Sequence, residues 1–250
     1  GVLKQVKEAL EGFNYNEFGG IEPNPKFETL MEAVKMVKDG DYNFLLAVGG
    51  GSVLDGTKFL AAASKFEGDP WDILTKGAQI NDALELADVI TLPATGSEMN
   101  CGAVISRLST KEKFAFMSEK VYPKFSIIDP KVTFTLPEKQ TVNGIVDTFV
   151  HVMEQYATYD VNTPLQDQWA LGIIKTLIEE GPKVLKEPEN YQARANIFWC
   201  ATCGLNYWIS LGAVQDWSTH MIGHELTALY GLDHGETHAI IMPSLWHVMK

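Results

Sequence analysis

Short apolar runs alternate with helical patterns in the first half of the chain. Three apolar runs of strand length cover residues 44–48, 88–92 and 125–128, and glycine or proline follows each of them closely. Apolar positions recur at helical spacing over residues 27–38 and 52–65. Buried strands separated by amphipathic helices are typical of a parallel sheet that is covered on both faces. The pattern therefore predicts an α/β domain.

The second half of the chain, after Pro137, shows helical patterns only. These patterns cover residues 139–159, 165–186, 191–211 and 217–230. We therefore predict two domains that meet at this proline, an α/β domain over residues 1–137 and an all-α domain over residues 138–250.

Both ends of the chain lie inside helical patterns. Apolar side chains recur at helical spacing over residues 1–11, and residues 244–250 continue without a stop signal. We expect the sequence to be a fragment of a longer protein.

The composition is that of a globular protein, with 46% hydrophobic and 21% charged residues. A net charge of −12 repels nucleic acid and anionic membrane surfaces, and no apolar run approaches the ~20 residues of a membrane span. Only three cysteines occur, which favours a reducing cytoplasm over a disulfide-bonded scaffold. Because the net charge is negative, a phosphate-bearing ligand must be held by local donors.

A glycine-rich loop follows the first predicted strand. Gly49, Gly50 and Gly51 precede Ser52 at the start of a helix. Such a loop lets backbone N–H groups and the helix N-terminus approach a phosphate, although a tight turn without a ligand stays open as the alternative. The G-x-G-x-x-G fingerprint fails because Leu54 replaces its last glycine. A nucleotide triphosphatase loop fails as well, because its lysine and threonine stand in the wrong order.

A second polar loop, residues 93–98 (PATGSE), follows the next strand. Ligands of open α/β sheets lie at the carboxyl ends of the strands, so the two loops could face one ligand. Taken alone, the second loop is typical of a plain turn.

All six histidines lie in the helical half. Asp147 and His151 stand four residues apart, His220 and His224 repeat this spacing, and His234 follows in a glycine-containing turn. Residues four apart share one helix face. We predict that Asp147, His151, His220 and His234 converge on one Fe²⁺ or Zn²⁺ ion. The alternative for each pair is a surface hydrogen bond.

Taken together, these segments resemble the iron-containing alcohol dehydrogenase family, in its butanol dehydrogenase and NADPH-dependent aldehyde reductase branch. The matching segments keep their order and spacing over nearly the whole chain: residues 20–25, 49–52 with Asp55, 92–98, 147–151, 220–226 and 234–235. The resemblance implies a dehydroquinate synthase-like fold, with a dinucleotide-binding α/β domain before a helical metal-binding domain. It also implies that the first strand and part of the helical domain are missing from this sequence.

The resemblance assigns roles to single residues. The metal ligands of the family match Asp147, His151, His220 and His234, and His224 matches a residue of catalysis or proton relay, for which an ordinary histidine pKa near 6.5 is suitable. Many relatives carry another residue in place of His238, which we expect in the pocket or behind the ligands. The residues expected to bind the cofactor are Gly19, Gly49, Gly50, Gly51, Ser52, Asp55, Thr91, Thr95 and Ser97.

The expected cofactor is NADPH rather than NADH. Gly19 stands where NAD-preferring relatives tend to carry an acidic residue, and a carboxylate there would bind the ribose 2′-hydroxyl and repel a 2′-phosphate. A simple turn at Gly19 is the alternative.

The resemblance implies a metal-dependent alcohol dehydrogenase or aldehyde reductase. It would transfer hydride between NAD(P)H and a short aliphatic alcohol or aldehyde, act as a cytoplasmic homodimer, and bind neither nucleic acid nor membrane. Two alternatives stay open: a glycerol or other polyol dehydrogenase of the same fold, and a catalytically inactive metal-binding fragment.

Overall fold

A parallel sheet forms the centre of the first half of the computed structural model, which describes residues 1–249. The strands β1 (Phe44–Gly49), β2 (Glu85–Ile90) and β5 (Ser126–Ile128) lie in the order β1-β2-β5 and pair in parallel. The predicted parallel sheet is confirmed. The second strand begins and ends a few residues before the predicted one, because it pairs with β1 from Phe44–Glu85 to Gly49–Ile90. Within it, the buried Asp88 accepts a hydrogen bond from Ser126.

An antiparallel hairpin, which the sequence patterns did not predict, packs against the helix over residues 51–65 that follows β1. Its strands are β3 (Gly102–Arg107) and β4 (Glu112–Met117). The turn between them contains Lys111 with a left-handed φ of 55°. Glycine or asparagine usually occupies such a position, so the turn lacks its usual sequence signature.

Helix α3 lies between the sheet and the hairpin. The helices of this half are α1 (Val2–Ala9), α2 (Phe27–Asp39), α3 (Gly51–Lys65) and α4 (Asp72–Thr75). Leu54 and Phe59 of α3 are fully buried with Leu30 of α2 and Leu86 of β2. This single apolar core fixes α3, and with it the loop from which α3 begins.

The chain from Glu138 onward is helical in the part that the structure describes. Its helices are α5 (Glu138–Tyr156), α6 (Pro164–Lys186), α7 (Tyr191–Gly204), α8 (Ser218–Tyr230) and α9 (His234–Met249). Helix α5 packs against α6, α7, α8 and α9. The predicted order of an α/β part before an all-α part is therefore confirmed. The helix predicted over residues 191–211 is shorter, since it ends at Gly204.

Lys58 of α3 ties the loop after β2 to the core. Its Nζ donates to four oxygens: Ser97 O at 2.7 Å, Asn100 O at 2.8 Å, Asn100 Oδ1 at 2.9 Å and Gly102 O at 2.9 Å. Burial lowers the pKa of Lys58 to about 8, so its ammonium form still predominates at pH 7. Lys58 points into the core and not toward a phosphate, in agreement with the rejected triphosphatase loop.

Within residues 1–249, the helices are too short or too polar to cross a lipid bilayer.

Replacing Lys58 with Met should lower the free energy of unfolding by about 3–5 kcal/mol, because four buried oxygens and the neighbouring Asp55 lose their cation. Urea unfolding followed by circular dichroism measures the change. The matched control is Lys65→Met, which removes the same charge from an exposed position of α3. Equal stability of the two variants would contradict the assigned role of Lys58.

Candidate metal centre and cofactor site

Helix α5 rests directly on the loop that follows β2. A Cβ atom at Gly144 would collide with the carbonyl oxygen of Pro93, and Thr148 Oγ1 donates to the carbonyl oxygen of Ala94 at 3.3 Å. Asp147 and His151 lie on the same stretch of α5 and are both buried. The close approach at Gly144 therefore places these two side chains next to the second polar loop.

Four histidines surround one oxygen of Asp147. The Nε2 atoms of the four imidazoles lie at these distances from Asp147 Oδ1: His238 3.3 Å, His234 3.6 Å, His151 3.8 Å and His220 4.0 Å. Asp147 Oδ1 and His220 Nε2 are buried without a hydrogen-bond partner among the described residues. A buried carboxylate oxygen amid imidazole nitrogens fits a divalent ion such as Fe²⁺ or Zn²⁺.

The other histidines of the site come from α8 and α9. These two helices pack against each other and against α5. A Cβ atom at Gly235 would lie 2.6 Å from the carbonyl oxygen of Asn143, and one at Gly223 would lie 2.8 Å from Thr237 Oγ1. Glycine at both positions allows the helix ends to approach closely. Helix α8 then supplies His220, and α9 supplies His234.

The predicted ligands come together, with one difference in detail. Asp147, His220, His234 and His238 each place a ligand atom within 4.8 Å of all the others. His151 lies outside this tight group, although its ring stacks on that of His220 with centroids 4.7 Å apart. His238, which we expected only in the pocket or behind the ligands, is therefore part of the cluster.

Glu154 orients His220. Its carboxylate accepts hydrogen bonds from His220 Nδ1 and from the backbone N–H of Thr219. A hydrogen bond at Nδ1 directs the free Nε2 of His220 toward Asp147, as carboxylate partners of metal-binding histidines do. Burial raises the pKa of Glu154 to about 7. Glu154 was not among the residues predicted from the sequence, although it follows Asp147 by seven residues and so shares its helix face.

Burial disfavours the charged form of three imidazoles in the cluster. Burial lowers the pKa of His151, and it lowers the pKa values of His220 and His234 well below 6.5. Neutral imidazole is the form that binds metals. Burial and the charge of Lys113 lower the pKa of His224 to about 3. The argument from an ordinary pKa of about 6.5 is therefore wrong for His224, whose ring lies 5.4 Å from that of His234.

The glycine loop sits where β1 ends and α3 begins. The Thr91 N–H donates to the carbonyl oxygen of Gly49 at 2.8 Å, and a Cβ atom at Gly51 would lie 2.6 Å from Thr95 Oγ1. The two polar loops therefore touch, as the order of the strands predicted. Ser52 Oγ accepts a hydrogen bond at 3.2 Å from the backbone N–H of Asn24.

Two residues expected to bind the cofactor are engaged with each other. Ser97 Oγ donates to Asp55 Oδ1 at 2.7 Å, and the Val104 N–H donates to Asp55 Oδ2 at 2.9 Å. Ser97 is only 2% exposed. Both side chains thus join α3, the second loop and the hairpin, and their contact with the cofactor stays a prediction.

Gly19 lies on the surface, and a Cβ atom there would meet open space within 4 Å among the described residues. The segment reaches the glycine loop five residues later, through the Asn24 contact with Ser52.

Lys113 of β4 is a site residue that our sequence analysis missed. It is only 7% exposed, and its Nζ donates to Asn24 Oδ1 at 2.9 Å. Burial lowers its pKa to about 8, while the charge of Asp147 acts in the opposite direction. Lys113 therefore stands between the glycine loop and the histidine cluster. Its position depends on the hairpin, which explains why no local pattern indicated it.

Family comparisons agree with this arrangement. The family model described as iron-containing alcohol dehydrogenase matches residues 1–130, and the model of the C-terminal part of the Fe-containing alcohol dehydrogenase family matches residues 141–250. The chain belongs to the iron-containing alcohol dehydrogenase family.

Individual relatives in this family agree with the expected branch. The chain is 59% identical to the NADPH-dependent aldehyde reductase YqhD of Escherichia coli, over 99% of this chain and 65% of that protein. It is 46% identical to the probable NADH-dependent butanol dehydrogenase 1 of Bacillus subtilis, over 98% of this chain and 64% of that protein. The crystal structure of the NADH-dependent butanol dehydrogenase A of Thermotoga maritima superposes with a TM-score of 0.94 at 41% identity. The match covers 97% of this chain and 62% of that protein. The chain thus spans less than two thirds of the length of these family members.

Replacing Gly51 with Ala should lower the free energy of unfolding of this family member by about 1–3 kcal/mol, because the new methyl group overlaps Thr95 and forces the two loops apart. Thermal unfolding measures the change. Gly50→Ala is the matched control, since its Cβ would make an ordinary contact with Leu92 Cβ at 3.4 Å. If Gly51→Ala and Gly50→Ala unfold at the same temperature, the loops are not in contact at Gly51.

Proposed function

We propose that the protein is a metal-dependent alcohol dehydrogenase or aldehyde reductase that transfers hydride between NAD(P)H and a short aliphatic alcohol or aldehyde. The observation that carries this proposal is the Asp147 oxygen with four imidazole nitrogens within 3.3–4.0 Å, seated on the loop that adjoins the glycine turn. The names of the relatives, an NADPH-dependent aldehyde reductase and NADH-dependent butanol dehydrogenases, support the same reaction.

In this proposal Asp147, His151, His220 and His234 hold Fe²⁺ or Zn²⁺, with Glu154 fixing the orientation of His220. When bound, the ion supplies Lewis acidity toward the substrate oxygen, and the nicotinamide supplies or accepts the hydride. The backbone N–H groups of Gly49, Gly50 and Gly51, with Ser52, Thr91 and Thr95, bind the pyrophosphate at the N-terminus of α3. Asp55 and Ser97 keep these loops in place.

Lys113 and His224 have separate tasks in the cleft. Lys113 contributes a buried positive charge between the glycine loop and the cluster, which suits an anionic cofactor. His224 Nε2 is buried without a hydrogen-bond partner among the described residues. As a neutral imidazole with one donor and one acceptor nitrogen, His224 passes a proton between the substrate oxygen and solvent.

We propose that an aliphatic substrate is favoured over a polyol, because an aromatic ring borders the histidine cluster. The Trp217 ring lies edge-on to the His220 ring with centroids 5.0 Å apart, and 6.2 Å from the ring of His151. An aromatic wall offers apolar contact and few partners for extra hydroxyl groups. A panel of butanal, glycerol and dihydroxyacetone separates the two kinds of dehydrogenase, and metal binding without any turnover would identify an inactive metal-binding fragment.

The homodimer and the cytoplasmic location remain predictions. Light scattering coupled to size-exclusion chromatography measures the first. The three cysteines, all within the described residues, are free, which is compatible with a reducing compartment.

The function is tested by following NADPH absorbance with butanal after loading with Fe²⁺ or Zn²⁺ under anaerobic conditions. The wild-type protein should oxidise NADPH and retain about one ion per chain. His234→Ala should lose the ion and the activity together, because it removes a ligand. His247→Ala, an exposed histidine of the same helix, is the control that should keep both. Full metal retention in His234→Ala would refute the ligand set.

His224→Ala should lower turnover by about 10²-fold or more while the metal content stays at the wild-type level, since a proton relay contributes rates of this order. Single-turnover kinetics and metal analysis on the same sample measure both quantities. Loss of the ion in this variant would make His224 a ligand instead.

Gly19→Asp tests the choice of cofactor. The carboxylate should weaken NADPH binding at least about tenfold by repelling the 2′-phosphate, and it should spare or strengthen NADH binding. Fluorescence titration with each cofactor gives the two affinities. Gly172→Asp, which adds the same charge on an exposed position of α6, is the control. An equal response of both cofactors to Gly19→Asp would mean that the ribose lies elsewhere.

A further inference from the structure

His238 lies unusually close to two predicted metal ligands for a histidine of the core. It follows His234 by one helical turn on α9 and is fully buried. Its Nε2 lies 3.3 Å from Asp147 Oδ1 and 3.1 Å from His234 Nε2. With ligand bonds of about 2.0–2.1 Å, two ligands of one ion are about 3.0–3.4 Å apart. His238 therefore stands at the separation of a neighbouring ligand from two members of the predicted set.

Of the two ring nitrogens of His238, only Nε2 has polar atoms near it. The other nitrogen, Nδ1, is buried without a partner among the described residues, and a Cβ atom at Gly223 would lie 3.3 Å from it. The ring also borders a cavity of about 330 Å³ that apolar side chains such as Phe149 and Met242 line. A buried imidazole costs free energy unless its nitrogens are paired. An aliphatic side chain would suit this place better if Nε2 had no function.

Two hydrogen bonds of His238 Nε2–H compete with metal binding as explanations, one to His234 Nε2 and one to Asp147 Oδ1. If His238 Nε2–H donated to His234 Nε2, it would occupy the lone pair with which His234 is proposed to bind the ion. Both lone pairs can point at Asp147 Oδ1 only when a cation lies between them. The short separation of the two Nε2 atoms is therefore consistent with the proposed function when both nitrogens bind the same ion.

We propose that His238 is a direct ligand of the metal ion, so that the site offers five protein donors: Asp147, His151, His220, His234 and His238. This inference rests on the proposed metal-dependent function. A fifth donor distinguishes the site from ordinary four-ligand zinc sites and suits an ion that accepts more than four ligands, such as Fe²⁺.

The deciding experiment is nuclear magnetic resonance of protein with ¹⁵N-labelled histidine, loaded with ¹¹³Cd²⁺. Scalar coupling between cadmium and an imidazole nitrogen requires a direct bond, so it does not arise from a hydrogen-bonded neighbour. The wild-type protein should show four coupled histidines. His238→Leu should show three, and His247→Leu, the control on the same helix, should again show four.

The outcomes separate this inference from the proposed function. Three coupled histidines in the wild type, unchanged in His238→Leu, would overturn the role of His238 and leave the metal site intact. No bound cadmium in the wild type would refute both. If His238→Leu does not fold, resonance assignment of the coupled imidazoles in the wild type decides whether His238 is among them. As a second readout, competition with a chelator should show Zn²⁺ bound at least about tenfold more weakly by His238→Leu than by His247→Leu.

Discussion

The contact between α5 and the loop after β2 is the constraint on which the site depends. Gly144 lets the helix backbone reach the carbonyl oxygen of Pro93, and any side chain there would push the two apart. The same helix carries Asp147, His151 and Glu154 on one face. A shift of α5 would therefore separate the carboxylate from the loops that adjoin the glycine turn, and it would move the support of His220 at the same time. Catalytic geometry tolerates little displacement of this kind.

The electrostatics of the cleft follow from this placement. Although burial alone would raise the pKa of Asp147, the neighbouring His151, His238 and Lys113 hold it below its usual value. Burial also lowers the pKa values of His151, His220 and His234, so these imidazoles do not supply all of the positive charge that a buried carboxylate requires. A divalent ion held by the predicted ligands would supply that charge. Lys113 supplies a smaller share of the positive charge near Asp147. Because Lys113 belongs to the α/β half and Asp147 to the helical half, this charge links the two halves.

Several parts of this arrangement could be predicted from the sequence because they depend on local patterns. The strand-length runs gave the parallel sheet, and the four-residue spacing of Asp147 and His151 indicated a shared helix face. Other parts depend on contacts between distant segments. The hairpin escaped prediction because Lys111 adopts a left-handed conformation without the residue types that mark such turns. Lys113 was missed with it. The hydrogen bond between Ser97 and Asp55 could not be predicted either, because it joins residues 42 positions apart in the sequence.

The buried ammonium group of Lys58 has a practical consequence. Its three hydrogens are shared among four oxygens inside the core, while most lysines of such an acidic surface face water. An acylating reagent added to the folded protein can reach those exposed amines and has no path to this one. Acylation at this position would thus record an opening of the α/β domain, and its rate would report how often the sheet and α3 come apart under native conditions.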